Sequence, residues 1–314
     1  MEVSIVGYSS LIQRKILHAF NEIINIEYVN IFSRRNLNQD EFKFFKFKVR
    51  IFPINQLINY SKTCKSFFYY ISTENSSHDF YTSLLLSNFK NVLIDKPISL
   101  SEVDLNKNLD LAKKNGCFIS EVLTWDYHSQ VNYLKDFIKN NKVSDVLIRF
   151  TIPKPFENNF RINNSRGSGV FWDMAIYFFS TANLFDYEPD FITTFSKNIG
   201  SNCNQWFKID FINPDFRFNS LFGFGFPYQN KLELSSQNSV LTFNRIYTSD
   251  PKEPVIVNKI YKQNSEDILF KDNSFLNYFK YVIDLIIKEK YEGELIKIRN
   301  RYNKIFKLQK YYYG

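Results

Sequence analysis

Near the N-terminus an apolar run, Val3-Ser4-Ile5-Val6, ends in Gly7 and passes through Tyr8-Ser9-Ser10-Leu11-Ile12 into an amphipathic stretch from Gln13 to Ile24. A strand that turns through glycine into a helix can cradle a pyrophosphate. Glycine lets the backbone approach the anion, which then meets the N–H groups and positive dipole end of the helix. A complete cradle carries three small residues. Here only Gly7 remains; Ser9 takes the second place, where its hydroxyl could donate to a phosphate, and Ile12 takes the third. Gly7 alone is equally compatible with an ordinary strand-to-helix turn.

A second apolar run, Glu27 to Phe32, ends in Ser33-Arg34-Arg35. An acidic residue there would take the ribose hydroxyls of NAD, whereas a hydroxyl beside a guanidinium suits a 2′-phosphate. The expectation is NADP(H) in preference to NAD(H), with a solvated basic turn as the alternative. A third arrangement lies on a helix expected over Gly169 to Phe185, where Asp173 and Tyr177, four residues apart, share one side.

These residues need a scaffold. Strand-like runs at Phe67–Ser72, Asn91–Ile94 and Cys117–Leu123 alternate with helical stretches at Asp79–Asn88 and Leu105–Asn115, the latter stopping at Gly116. Alternation of this kind implies an α/β fold, a doubly wound parallel Rossmann sheet with crossover helices. After about residue 145 the strands gather: Asp145–Ile152, Leu221–Phe226, Lys231–Ser235 and Ser239–Tyr247, with helices over Gly169–Phe185 and Ser274–Lys288. That half reads as an α+β domain with a mainly antiparallel sheet. The expected domains are residues 1–122, which would bind a dinucleotide, and residues 123–314, which would carry substrate and assembly surfaces, the last helix packing back on the first domain.

Composition narrows the classes. The 314 residues carry 40 Lys+Arg and 32 Asp+Glu, a net charge of +8, with 44% hydrophobic and 23% charged residues, as in an ordinary globular chain. The positive charge is scattered, so nucleic-acid binding is not expected. Cys64, Cys117 and Cys203 lie far apart, which excludes a disulfide scaffold and a cysteine zinc module and suits a reducing compartment. His78 and His128 lack metal-ligand spacing, so no metal is expected. No apolar run approaches membrane-span length and the N-terminus does not read as a signal peptide, so a cytoplasmic protein is expected.

The segment Ile71-Ser72-Thr73-Glu74-Asn75-Ser76-Ser77-His78, followed by Asn91-Val92-Leu93-Ile94-Asp95-Lys96-Pro97, resembles the glucose–fructose oxidoreductase/inositol dehydrogenase (Gfo/Idh/MocA) family. That family has a T-x-N-x-x-H turn after the fourth strand and E-K-P after the fifth, here Asp-Lys-Pro. Arg166-Gly167-Ser168-Gly169-Val170-Phe171-Trp172-Asp173-Met174-Ala175-Ile176-Tyr177 resembles the family's G-G-G-x-x-x-D-x-G-x-H/Y segment. Tyr177 in place of His, with Thr151-Ile152-Pro153 and Asn159-Phe160-Arg161, is similar to the branch of glucose–fructose oxidoreductase, dihydrodiol dehydrogenases and nucleotide-sugar 3-ketoreductases. Phe222-Gly223-Phe224 and Tyr228-Gln229-Asn230 add to that likeness. Glu121 to His128 resembles the family's E-x-x-x-W-R-F-H stretch, with Asp126 for the usual Arg.

The resemblance implies a hydride transfer between nicotinamide and a keto or hydroxyl carbon of a sugar, nucleotide-linked, in surface-polysaccharide or deoxysugar synthesis. It implies Tyr177 as the proton donor and Lys96 as the cation that lowers its pKa, since a free phenol near pKa 10 is a poor acid at neutral pH. The Lys96-Pro97 peptide is often cis in this family. Asp173, Arg161, Trp125 and His128 would contact substrate. Gly7, Ser9, Ser10, Leu11, Ser33, Arg34, Arg35, Ser72, Thr73, Asn75, His78 and Lys96 would hold the cofactor. The family's open sheet faces suggest a homo-oligomer, a dimer or tetramer. Two alternatives stay open: a dehydrogenase of small diols or cyclitols, and a non-catalytic member serving as partner subunit or sensor, as the altered glycine turn, Asp126 and Ala175 would allow.

Overall fold

The computed structural model describes residues 1–64, 66–156, 159–162, 167–185, 194–198 and 205–313, so Arg166 and Cys203 lie outside the described residues. The chain divides into two compact units, residues 1–124 with 275–300, and residues 125–274 with 301–314.

Unit 1 is built on six strands: β1 (Glu2–Val6), β2 (Tyr28–Ser33), β3 (Lys48–Pro53), β4 (Tyr69–Ile71), β5 (Val92–Asp95) and β6 (Ile119–Val122). They form one parallel sheet in the order β3-β2-β1-β4-β5-β6. The chain winds outward from β1 to β3, then returns to the far side of β1 at β4. The strand order therefore reverses between β1 and β4, the place where open α/β sheets take ligands. Helices α1 (Leu17–Asn21), α2 (Leu57–Thr63), α3 (His78–Ser87) and α4 (Glu102–Asn115) make four of the five connections, and a short turn of helix over Gln39–Phe42 lies in the one from β2 to β3. Gly116 ends α4 in the left-handed conformation, φ 61°, as its sequence suggests.

Two expectations for this unit need correction. The first helix does not reach Ile24, which is 96% exposed. A π turn over Ile12–Ile16 leads into α1, which ends at Asn21, whose side-chain oxygen accepts from the Lys46 N–H at 2.6 Å. β3 has no counterpart in the sequence reading, because Lys48-Val49-Arg50-Ile51 reads as a cluster of charge. It is an edge strand, where charged side chains protect an open rim. Arg50 lies 4.1 Å from the Tyr28 ring centroid and 3.3 Å from Glu2.

Unit 2 carries α5 (Ser129–Asn140), β7 (Val143–Ile152), α6 (Val170–Ala182), β8 (Thr194–Asn198), β9 (Trp206–Asn213), β10 (Phe216–Phe224), β11 (Gln229–Ser236), β12 (Ser239–Asn244), β13 (Val255–Tyr261) and β14 (Asn264–Phe270). Its sheet runs β14-β13-β12-β11-β7-β10-β9-β8 and is antiparallel except for the β7–β10 pair. Every residue of α6 is buried, including Asp173, Ser180 and Thr181. Phe178 packs edge-on to Phe218 at 5.5 Å. That packing fixes the rotation of α6 and so aims Asp173 and Tyr177.

Two further helices follow, α7 (Ser274–Ile287) and α8 (Glu292–Tyr313). Residues 275–300 belong to unit 1, where Phe279 packs against Phe20 at 4.7 Å and fills its core. Among the described residues no helix is long and apolar enough to cross a membrane.

Candidate functional site

The turns at the C-terminal ends of β1, β2, β4 and β5 collect the unit 1 candidates. Gly7 has φ +94°, and a Cβ there would sit 2.3 Å from the Ser72 carbonyl oxygen. Its own N–H donates to Phe32 O at 2.8 Å. Glycine is thus required both by backbone conformation and by the contact between the turns after β1 and β4. Gly7→Ala is expected to lose at least about 1–3 kcal/mol of stability, read from denaturant unfolding; an unchanged midpoint would mean that the two turns can separate freely.

Ser9 accepts from the Ile12 N–H at 3.3 Å, and its carbonyl accepts from Gln13 N–H at 3.2 Å, which is an N-cap. Its Oγ also lies 2.7 Å from Ser72 Oγ. Ser72 donates to Asp95, and Tyr70 donates to the other oxygen of the same carboxylate. Since the Ser72 proton goes to Asp95, the Ser9 proton goes to Ser72. The hydroxyl that replaces a glycine is therefore tied inward, not left to donate to a phosphate. Desolvation pushes the Asp95 carboxyl above the ordinary carboxylate range, against the opposing pull of those two hydrogen bonds and of His78 and Lys96 nearby. Ser10 is exposed and Leu11 half-buried at the start of the helix. Ile12 is fully buried, and the wider π turn begins with it.

At the end of β2, Ser33 Oγ accepts from the Arg35 N–H at 2.9 Å, which shapes the basic turn. Arg35 donates to the Tyr8 carbonyl, so it braces the glycine turn. Arg34 pairs with Glu74 at 3.2 Å. Tyr8 lies beside them, its phenol pushed up to about 12 by desolvation and by Glu41.

His78 is fully buried, with Nδ1 2.8 Å from Pro97 O and Nε2 3.2 Å from Thr73 O. It ties the turn after β4 to the turn after β5, and so acts on a bound molecule through their positions. Thr73 Oγ1 also accepts from Ser77 Oγ at 2.7 Å, and Asn75 is buried in the same turn. The Lys96-Pro97 peptide is cis. Glu121 accepts from the Ile98 N–H at 3.0 Å, so the Pro97–Ile98 peptide is held at both its carbonyl and its N–H.

In unit 2, Arg161 Nε lies 2.8 Å from Asp173 Oδ2. Both were expected to contact substrate; here they form an ion pair. Asp173 raises the Arg161 pKa through its charge, and Tyr177 adds to the same effect. Tyr177 sits against Phe150 at 5.1 Å and Tyr247 at 4.9 Å. Tyr247 Oη lies 2.8 Å from Thr181 Oγ1, which itself donates to Tyr177 O. Trp125 is buried and meets the Tyr247 ring edge-on at 5.2 Å, one ring away from Tyr177. His128 is buried, and its Nδ1 accepts from the Gln130 N–H at 3.2 Å, capping α5; burial lowers its pKa. It caps the helix through one ring nitrogen. Asp126 lies 3.9 Å from Arg301.

Sequence reading missed Tyr247, Tyr70, Asp95 and Glu74. Tyr247 and Tyr70 are two of 20 tyrosines and carry no local signal. Asp95 shows only as one letter of a motif, although both of its oxygens are used. Among the described residues no group of three or more His, Cys, Asp or Glu could hold a metal ion. A cavity of about 470 Å³ opens at the opposite end of β2, beside Tyr28, Lys46 and Lys48, away from these turns.

The unit 1 residues fit a dinucleotide. A helix N-terminus follows Gly7 at the strand-order reversal, the Ser9 side chain is drawn toward Ser72, and exposed guanidinium groups stand at the end of β2.

Residues 1–122 match the Gfo/Idh/MocA family, described as an oxidoreductase family with an NAD-binding Rossmann fold. A dTDP-3,4-didehydro-2,6-dideoxy-alpha-D-glucose 3-reductase from Streptomyces violaceoruber is 27% identical over 118 residues, 37% of this chain and 34% of that one. The match spans about a third of that relative's length. A 3-ketoreductase from Actinomadura kijaniata, solved with NADP and TDP-benzene, superposes with a TM-score of 0.79 at 17% identity over 96% of this chain and 94% of its own. An aldose-aldose oxidoreductase from Caulobacter crescentus, solved with glycerol, gives a TM-score of 0.80 at 13% identity over 98% and 96%. These likenesses show a shared fold over nearly the whole chain.

Proposed function

We propose, for a chain that belongs through residues 1–122 to the Gfo/Idh/MocA oxidoreductase family, an NADP(H)-dependent oxidoreductase acting on a keto or hydroxyl carbon of a nucleotide-linked sugar. The family match is the observation that carries this reading. Its finer parts have separate support. The basic turn Ser33-Arg34-Arg35 favours the phosphorylated dinucleotide. The nucleotide-sugar substrate, in deoxysugar or surface-polysaccharide synthesis, is supported by the named reductase and ketoreductase relatives.

When bound, the nicotinamide supplies or takes up the hydride. The chain's own residues manage the proton and the charge. Tyr177 holds the proton that the ketone oxygen takes as hydride reaches its carbon, so that the developing alkoxide ends as a hydroxyl. Lys96 supplies an ammonium whose charge favours the phenolate and stabilises negative charge on that oxygen. Arg161 pairs with Asp173 one turn before Tyr177 on α6, and the carboxylate anchors a substrate hydroxyl. We further assign the chain to a homo-oligomer and to the cytoplasm, the latter supported by the free thiols Cys64 and Cys117.

Thermal unfolding with each dinucleotide tests the reading. Ligand at 100 times its Kd adds about 2.7 kcal/mol, so NADPH is expected to raise the Tm by several degrees and NADH by less. No shift with either would transfer the support to a non-catalytic partner or sensor.

A further inference from the structure

Arg34 Nη2 stands 3.2 Å from Glu74 Oε1, with both side chains more than half exposed, 64% and 59%. The two residues come from turns on opposite sides of β1, one after β2 and one after β4. Arg35 is engaged differently, on the Tyr8 carbonyl. The guanidinium best placed to receive an anion at the end of β2 thus already carries a carboxylate.

That pair is easily displaced. An exposed ion pair contributes little to stability. A phosphate dianion brings more charge than a carboxylate and can take two guanidinium N–H groups at once. Glu74 does not leave when the phosphate arrives; it stays in the turn after β4 with its charge uncompensated. Beside Tyr8, Arg35 and Glu41 add one charge of each sign. A 2′-phosphate therefore gains Arg34 but meets Glu74, whereas a 2′-hydroxyl bears no charge for Glu74 to repel.

We propose that Glu74 is a specificity-determining residue that opposes the 2′-phosphate and narrows the preference between NADPH and NADH. This rests on reading Ser33-Arg34-Arg35 as the 2′-phosphate site. The acidic residue that would oppose the phosphate from the end of β2 is absent there, and the turn after β4 supplies it instead.

The test is equilibrium titration of the full chain with NADPH and with NADH, followed by nucleotide fluorescence, for Glu74→Gln, Arg34→Ala and the double variant. Both side chains are exposed, so the fold is expected to survive, which thermal unfolding checks. Glu74→Gln should tighten NADPH about fivefold, the scale of a Coulomb interaction near 4 Å in water, with NADH unchanged. The gain should shrink in high salt and persist in the Arg34→Ala background, where Glu74 still faces the phosphate. No change for NADPH, or equal tightening of both dinucleotides, overturns the assignment of Glu74. Arg34→Ala tests the underlying reading separately. It should weaken NADPH much more than NADH; equal loss removes the 2′-phosphate site, and the Glu74 proposal falls with it. A selective Arg34→Ala effect with an inert Glu74→Gln removes the Glu74 proposal alone.

Discussion

Tyr177→Phe should lower turnover by about 10²–10⁴-fold, the usual contribution of a positioned acid, while NADPH affinity stays within about twofold. The change removes one oxygen and leaves the ring. Phe150 at 5.1 Å and Tyr247 at 4.9 Å contact the ring, so packing around α6 is preserved. The effect should therefore fall on the chemical step, with fold and cofactor binding intact. The measurement is NADPH oxidation with a dTDP-linked keto sugar, alongside nucleotide titration. Full turnover in the variant would remove the phenol from the reaction. Lost turnover with lost nucleotide binding would mean that the substitution damaged the scaffold.

Lys96→Met should produce a loss of similar size and a change in the pH profile. A phenol near pKa 10 needs a cation close by to exchange protons at neutral pH. With the ammonium gone, the pH at which activity depends on the phenolate should move upward. Methionine keeps most of the apolar stem, so packing of the half-buried side chain is little affected. The turn itself is secured elsewhere, by His78 on the Pro97 carbonyl and Glu121 on the Ile98 N–H. Retained turnover with an unshifted profile would exclude Lys96 as that cation. The guanidinium of Arg161, already coupled to Tyr177 within unit 2, would then be the group to test.

The two halves of the molecule were legible to different degrees. In unit 1 the alternation of apolar runs and amphipathic stretches locates β1, β2, β4, β5 and β6, because a parallel strand buried on both faces reads as a continuous apolar run. β3 and α2 escaped, since an edge strand carries charge on its exposed side. In unit 2 the β13–β14 hairpin was missed for a related reason: most of β14 is exposed and leaves no apolar alternation to read. α5 and α8 escaped as well.

The site residues divide in the same way. Gly7 was legible because a positive φ is a local demand, and the cis Lys96-Pro97 bond agrees with the family resemblance. The side-chain partners were not. Ser9 was expected to face a phosphate and instead donates to Ser72, 63 residues away. Arg161 and Asp173, both expected to contact substrate, also hold each other. His128 caps a helix, and His78 braces two turns through backbone carbonyls.

By itself the amino-acid sequence determines the backbone course of these turns: where a strand ends, where glycine must stand and where a helix starts. Those choices depend mainly on neighbours a few residues away, although Gly7 is required also by the Ser72 carbonyl of the turn after β4. Only the tertiary structure decides which groups share a hydrogen or a charge, because sheet order brings β1 beside both β2 and β4. That juxtaposition sets Ser9 on Ser72 and Arg34 on Glu74. A hydrogen bond or ion pair depends on separations of about 3–4 Å in space, and no spacing along the chain encodes that distance.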